Sequence, residues 1–131
     1  MNVKKILETI YLGDRFCKKW IYDFERKVIM VQMDCISRLH ENTETWDCYT
    51  KRDIENGYIV FEGVSDIKKN GEMNDEIYSI LIEREENHIF HFKIFGVYIN
   101  EESVSSNVEM TFRAEEMYLL DPKFPEKKIS E

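Results

Sequence analysis

Histidine and cysteine, the side chains that most often act as nucleophiles or metal ligands, are few and poorly spaced in this sequence. His88 and His91 are three residues apart in a β-prone segment, so along a strand they would point to opposite faces. Cys17, Cys35 and Cys48 cannot all pair with one another, and no two of them form a C-x-x-C unit. We therefore expect no metal centre and no cysteine nucleophile, only thiols packed within a protein of a reducing compartment.

Carboxylates are abundant but scattered along the chain. Asp14, Asp34, Asp53, Asp66 and Asp75 are separated by roughly ten to twenty residues, whereas a calcium-binding loop gathers its ligands at short, regular spacing. Several of them adjoin turns, where Asp accepts hydrogen bonds from the local backbone. The sequence also lacks a glycine-rich phosphate loop and a serine elbow. We therefore predict a protein without a cofactor and without enzymatic activity.

Two irregular segments are the candidate partner-binding surfaces. Residues 40–56 lose all regular alternation and carry large aromatic side chains, which suits a recognition loop. The same rings would serve equally well as a cover for one open end of a β-sheet sandwich. Residues 100–106 form a second loop, which is acidic and rich in serine. The candidate partner-binding residues are Trp46, Tyr49, Asp53, Glu101 and Glu102.

The charge distribution restricts the class of partner. The net charge is −8, but residues 1–38 carry eight basic and five acidic side chains, whereas residues 39–131 carry ten and twenty-one. A surface of this sign repels nucleic acid and anionic membrane, and among macromolecules it favours a basic protein. Acidic balance is also an ordinary means of staying soluble. The sequence does not indicate an oligomeric state.

Residues 76–98 are the stretch around which we expect the chain to be organised. Two runs rich in Ile, Phe and Tyr flank a polar break at residues 85–87, which is the pattern of an antiparallel β-hairpin. One face of this hairpin is apolar and must be buried, because side chains alternate along a strand. The apolar positions are Tyr78, Ile80, Ile82, Phe90, Phe92 and Ile94. We expect both strands to lie in the centre of the sheet.

The remaining segments are short strands and one helix. Residues 3–10 have the apolar spacing of an amphipathic helix, and residues 16–24 and 28–39 form a second hairpin. A strand at 58–64 continues past Gly63 in a kink, and the pair Asn70 and Gly71 predicts a type I′ turn. Val108, Met110, Phe112 and Ala114 alternate with polar residues and continue into 117–120 after a bend.

The sum is a mainly β fold. We expect an antiparallel β-sandwich or a partly closed barrel of about six to eight strands, with one short N-terminal helix. Residues 1–122 would form a single domain, followed by a charged and frayed tail at 123–131. No apolar run reaches the roughly 20 residues that cross a bilayer, and Glu8 and Asp14 interrupt what would be a signal peptide. The expected location is the cytoplasm, without membrane contact.

Three segments resemble a family of short bacterial proteins of unknown function: residues 11–18 (YLGDRFCK), 31–39 (VQMDCISRL) and 46–64 (WDCYTKRDIENGYIVFEGV). The resemblance extends from about residue 11 to residue 122 and brings no catalytic residue with it. Small acidic proteins of this kind are often found among bacterial immunity proteins that neutralise secreted toxins. The resemblance therefore implies a protein partner.

Three functions remain open at this point. The favoured one is a non-enzymatic protein-binding domain, with immunity to a toxin as its most concrete form. The alternative is a small-ligand binder or a divergent enzyme that uses a β-barrel pocket. The third is an assembly module with an exposed edge strand.

Overall fold

The structure, a computed structural model, describes residues 3–12, 15–38, 53–72 and 76–130. These residues form one helix, α1 (Val3–Thr9), and twelve strands. The strands are β1 (Ile10–Tyr11), β2 (Cys17–Asp23), β3 (Val28–Met33), β4 (Cys35–Arg38), β5 (Ile54–Glu55), β6 (Tyr58–Glu62), β7 (Ser65–Lys69), β8 (Glu76–Glu86), β9 (Ile89–Ile99), β10 (Ser105–Ala114), β11 (Glu116–Leu120) and β12 (Lys128–Ile129).

The predicted helix is confirmed at the N-terminus. Val3 and Ile6, one turn apart, are buried, and Leu7 packs against the core beside them. Thr9 is buried as well, because its Oγ1 donates a hydrogen bond of 2.8 Å to the backbone carbonyl of Ile6. At two turns the helix depends on this packing for its stability.

The strands form three antiparallel sheets. A five-stranded sheet has the order β12-β11-β6-β3-β2, a four-stranded sheet has the order β7-β10-β9-β8, and a small sheet has the order β1-β4-β5. The mainly β fold with one short helix is therefore confirmed. The count exceeds the expected six to eight because three strands, β1, β5 and β12, are only two residues long and because three predicted strands are each divided in two.

One of these divisions is the kink that the sequence predicts at Gly63. There the chain passes from β6 in the five-stranded sheet to β7 in the four-stranded sheet. The neighbouring segment passes the other way, from β10 in the four-stranded sheet to β11 in the five-stranded sheet. Gly63 has a φ of +67°, and a Cβ at this position would collide with the side chain of Glu115. The Glu115 amide donates to the Glu62 carbonyl at 2.9 Å, which holds the two bends together.

The third division, between β3 and β4, lies at Asp34 and was not predicted. The Asp34 carboxylate accepts hydrogen bonds from the amides of Phe16 (3.1 Å) and Cys35 (2.7 Å). Its carbonyl accepts one from the amide of Asn56 (2.9 Å). These local bonds replace the regular ladder, so the predicted strand 28–39 turns at Asp34 into the small sheet.

The two large sheets pack face to face through aromatic rings. Phe61 of β6 meets Phe92 of β9 and Phe112 of β10 edge-on, with ring centroids 5.0 and 4.8 Å apart. All three side chains are buried in the core cluster. In the part of the chain that the structure describes, the sheets stay open and form a sandwich, with a single bridge between Phe16 and Glu76 on the side away from the shared bend.

The organising hairpin is confirmed, with corrections to its turn and its place. β8 and β9 pair antiparallel, and Phe92 and Ile94 are fully buried. The turn residues are Asn87 and His88, with φ of 54° and 65°, the conformation of a type I′ turn. The predicted break at 85–87 was therefore placed too early.

Asn70 and Gly71 do not form the type I′ turn that the sequence predicts. Neither has a positive φ, and β7 pairs with β10 instead of with the strand that follows it. The Asn70 side chain accepts a hydrogen bond of 2.8 Å from the Glu109 amide, which binds this segment to β10. The dipeptide therefore ends an edge strand instead of reversing it.

The central placement of both hairpin strands is correct for β9 and wrong for β8. β9 lies between β10 and β8, whereas β8 is at the end of the sheet order. A bulge between Ile77 and Ser79 also changes the face of β8, so that Ile77 and Ile80, three residues apart, are both buried.

The segment predicted as a frayed tail contributes to the five-stranded sheet. Lys128 and Ile129 pair with Leu120 and Leu119. In the described parts of the chain, no helix has both the length and the apolar character needed to cross a membrane.

Candidate functional site

The outer edge of β8 is the longest strand edge that the fold leaves at the end of a sheet. β8 has eleven residues and ends the four-stranded sheet. Among the described residues, only Phe16 bridges to it from outside that sheet, at Glu76. A strand edge carries backbone donors and acceptors that can pair with another chain.

An apolar groove of about 450 Å³ lies between α1 and β8; we call it the β8 groove. Its apolar side chains include Leu7 from the helix, Ile80 and Ile82 from β8, and Phe90 from β9. Lys4, Glu8 and Glu85 form its charged rim. Val3 and Ile6 are the buried apolar residues of α1, whereas Leu7 is only half-buried and lines the groove. On β8 itself, Leu81 is 46% exposed.

Ion pairs lie on β8 and on the strands next to its C-terminal half. The Lys93 ammonium lies 3.6 Å from Glu83 and 3.7 Å from Glu109, and Glu86 lies 3.8 Å from Arg84. These ion pairs are solvent-exposed and contribute little to stability, so their main effect is on the local field. Glu85 is also exposed, at the rim of the groove, so the last four residues of β8 carry three carboxylates and one basic side chain.

The sequence-predicted site residues do not come together in this edge. Asp53 is exposed just before β5, and its carboxylate accepts a hydrogen bond of 3.2 Å from the Arg38 amide. Glu101 and Glu102 are exposed in the turn between β9 and β10, in a different sheet. Trp46 and Tyr49 lie outside the described residues. The structure therefore separates Asp53 from the glutamate pair.

Hydrogen bonds to the Asn100 side chain fix the turn that carries Glu101 and Glu102. The Asn100 side chain accepts hydrogen bonds of 2.9 Å from the amides of Glu102 and Val104, and Ser103 takes a φ of 63°. The turn therefore holds two carboxylates on a short, defined loop.

A buried polar cluster joins α1 to the small sheet. Arg38 is only 4% exposed, and its Nε donates to Thr9 Oγ1 at 3.0 Å. On the neighbouring residue, Ser37 Oγ accepts a hydrogen bond of 3.1 Å from Arg15 Nε. Sequence reasoning missed this cluster, because Thr9, Ser37 and Arg38 are ordinary polar residues at the ends of elements. It holds α1 and β4 together beside Asp53.

Two thiols among the described residues are buried or half-buried. Burial raises the pKa of the Cys35 thiol, although a hydrogen bond with Ser37 and the Arg15 charge act in the opposite direction. Cys17 is buried, with its Sγ 3.7 Å from the Met33 sulfur. Cys48 lies outside the described residues. A raised pKa favours the protonated form of the Cys35 thiol, which is the less nucleophilic form.

A carboxyl pair lies at the shared bend of the two sheets. Glu62 and Glu116 are directly opposite each other on β6 and β11. The Tyr118 hydroxyl donates a 2.6 Å hydrogen bond to Glu62 and so lowers the pKa of that carboxyl, while a hydrogen bond with Glu62 raises the pKa of Glu116. Lys128 of β12 lies 3.8 Å from Glu62 and 4.7 Å from the centre of the Tyr118 ring. The pKa values of the two carboxyl groups are therefore displaced in opposite directions.

This carboxyl pair borders an open depression of about 500 Å³ that also contacts His88 and Glu115. The residues that the structure describes contain no group of three or more His, Cys, Asp or Glu side chains able to hold a metal ion. His91 lies 3.9 Å from Glu86, on the other side of the turn from this depression.

Comparison with known proteins places the chain in one family. Residues 1–131, the whole chain, match the Family of unknown function (DUF6258). No curated protein and no solved structure matches the chain.

Proposed function

We propose that this chain, which belongs to the Family of unknown function (DUF6258), is a non-enzymatic protein-binding domain with a basic protein as its partner. Its most specific form is a bacterial immunity protein that neutralises a toxin in the cytoplasm. The single observation that carries the proposal is the edge of β8, which borders an apolar groove and a field of carboxylates.

The combination of charge and apolar surface is what supports a protein partner. A net charge of −8 attracts a basic partner over distance and raises the association rate. A stable complex also needs apolar area that becomes buried, and the β8 groove and Leu81 supply it on the described surface. Trp46 and Tyr49 are proposed as further aromatic anchors.

The carboxyl pair at the bend favours a second candidate, a small-ligand binder or a divergent enzyme. Glu62 and Glu116 have pKa values displaced in opposite directions, which is how a general base and a general acid are paired. The depression beside them is open and polar, whereas ligand sites usually bury most of the ligand. We rank this candidate second for that reason.

Affinity capture followed by kinetics tests the first candidate. The full chain is immobilised, proteins of the source organism are captured at low salt, and association and dissociation rates are measured with the purified captured protein. Reversing both charges with Glu101→Lys and Glu102→Lys should slow association and flatten its salt dependence, with dissociation almost unchanged. Trp46→Ala should instead speed dissociation.

A small-molecule screen supplies the opposing outcome. If no protein is captured and a small molecule raises the melting temperature, the binding-domain proposal is wrong and the pocket candidate replaces it. Loss of that effect in Glu116→Gln would then assign the ligand to the carboxyl pair.

A further inference from the structure

We infer that the partner binds by adding an extended strand to the outer edge of β8, with apolar side chains in the β8 groove and basic side chains beside the carboxylates. This inference rests on the proposed function and specifies its partner as a basic, alternating β-segment. It assigns recognition to the β8 edge, which sequence reasoning had placed in the centre of the sheet.

The backbone of β8 supplies the first part of the argument. β9 pairs with one side of β8 along its whole length. On the other side, the described residues provide one bridge, from Phe16 to Glu76. Every second residue of an edge strand directs its amide and carbonyl outward, so an added strand can form a regular ladder there.

Two bulges define where that ladder can form. The pairing of β8 with β9 shifts register between Ile77 and Ser79 and again between Ile82 and Arg84. Bulges twist a strand and discourage pairing at those points. Residues 79–82 lie between them and pair without a shift with residues 95–92 of β9. A partner strand therefore has a window of four regular residues.

The side chains around this window are apolar. Ile80, Leu81 and Ile82 line the β8 groove with Leu7 and Phe90, and Leu81 is the most exposed of the three β8 residues. A strand added beside residues 79–82 would place every second side chain next to the groove. We therefore expect valine, isoleucine or leucine at alternate positions of the partner segment.

The charges around the window select a basic segment. The rim of the groove and β8 together carry five carboxylates and two basic side chains. The carboxylates are Glu8, Glu76, Glu83, Glu85 and Glu86, and the basic side chains are Lys4 and Arg84. Pairing with β8 of a second copy would bring two acidic edges and two charges of −8 together, so charge disfavours self-association here.

A synthetic peptide tests the inference without the natural partner. The probe is a ten-residue peptide of alternating lysine and valine with blocked ends, and its affinity for the full chain is measured by calorimetry or fluorescence. Two control peptides carry N-methyl groups on either the odd or the even residues, which removes alternate backbone donors and keeps every side chain. A third has the same composition with the lysines and valines in two blocks.

Strand addition predicts that one N-methylation frame weakens binding by about ten-fold or more and that the other frame has little effect, because only alternate amides face β8. The block peptide should bind more weakly than the alternating one. Glu83→Lys with Glu85→Lys should also weaken binding by about ten-fold, whereas the matched pair Glu25→Lys with Glu126→Lys, two exposed residues outside the proposed binding surfaces, should change it far less.

Equal binding of all N-methylated peptides would overturn strand addition, because it would show that charge alone holds the probe. Strand addition would also be overturned by a second pair of results. The peptide would fail to bind, and the captured protein partner would bind the Glu83→Lys, Glu85→Lys variant as tightly as the wild type. In that case the protein-binding function stands and only its mode is wrong. If neither the peptide nor any protein binds, the proposed function itself fails.

Discussion

The edge strands β2 and β8, which end the two large sheets, differ in the features that prevent pairing with another chain. β2 ends the five-stranded sheet and carries Lys18 and Lys19 on its exposed surface. The Lys18 ammonium donates a hydrogen bond of 2.7 Å to the side chain of Asn56. A bulge between Cys17 and Lys19 adds to this protection. Edge lysines and bulges are the usual means by which proteins prevent pairing with another chain.

β2 also uses its aromatic side chains internally. Trp20, Tyr22 and Phe24 stack along one face, with ring centroids 6.1 and 6.0 Å apart. The Lys69 ammonium of β7 lies over the Tyr22 ring at 5.2 Å, so this face of β2 packs towards the other sheet. Burial, and secondarily the nearby Glu72 charge, raises the pKa of Tyr22.

β8 lacks these devices in its window. Between its two bulges it has Ser79, Ile80, Leu81 and Ile82, with no charge among them. Four of its five charged residues follow the window, and four of the five are acidic, whereas β2 carries two lysines and one aspartate. In the part of the chain that the structure describes, β2 therefore carries features that discourage strand pairing and residues 79–82 of β8 do not, as the proposed strand addition requires.

The largest expected effect tests whether both edges depend on one core. Phe92→Ala removes a buried ring that contacts Phe61 across the sandwich, and it should lower the free energy of unfolding by about 3–5 kcal/mol. Chemical denaturation followed by hydrogen exchange checks this, and β2 and β8 should unfold together. Phe24→Ala is the control, because Phe24 is 74% exposed and should cost far less. A loss below about 1 kcal/mol for Phe92→Ala would contradict the shared core.

A smaller effect on stability is expected from Tyr118 of β11, next to β12 at the end of the five-stranded sheet opposite β2. Tyr118→Phe removes the hydrogen bond to Glu62 and should cost about 1–2 kcal/mol at pH 7. The folded pKa of Glu62 is lowered, so its contribution is present above the unfolded value of about 4.3 and is lost as pH falls through the folded value. The pKa of Glu116 is raised, so its contribution to stability has the opposite pH dependence. Glu116 is present in both the wild type and Tyr118→Phe.

Urea denaturation at several pH values measures this difference. The gap between wild type and Tyr118→Phe should be full at neutral pH and should shrink towards zero in acid. Tyr58→Phe on the adjacent strand β6 is the matched control and should show no such pH dependence. A gap that persists unchanged in acid would show that the lost stability does not come from the ionised Glu62.

The smallest effect on stability concerns the two edges themselves. Leu81 of β8 and Ile21 of β2 are 46% and 36% exposed, so Leu81→Lys and Ile21→Lys should each change stability by less than about 1 kcal/mol. Affinity for the lysine–valine peptide should fall in Leu81→Lys, because the substitution adds a positive charge and removes an apolar contact within the window. It should be unchanged in Ile21→Lys, and a fall in both variants would remove the distinction between the edges.

Local pattern predicted the elements of this fold better than it predicted their neighbours. The alternation at Val108, Met110, Phe112 and Ala114 specified a buried face that the structure confirms, because side-chain period depends on adjacent residues alone. Which strand lies at an edge depends on pairing between distant segments, and the apolar content of β8 was therefore misread as a central position. The bulge after Ile77 was equally invisible in the sequence.

The candidate site shows the same division. The acidic character of the surface could be read from composition, but the β8 groove required α1 to lie beside β8, which no local pattern specifies. The polar break at 85–87 located the hairpin turn only approximately, because polarity does not show that Asn87 and His88 are the two residues with positive φ. The carboxyl pair forms only because β6 and β11, more than fifty residues apart, are neighbours.

Residue-resolved hydrogen exchange of the full chain, free and saturated with the lysine–valine peptide, tests the central claim most directly. In the free protein the amides of β9 should exchange most slowly, and the outward amides of residues 79–82 should exchange fast. On peptide binding, alternate amides within 79–82 should slow markedly, and those of β2 should not change. Slowing in β2, or no change in 79–82 while the peptide is bound, would contradict strand addition at β8.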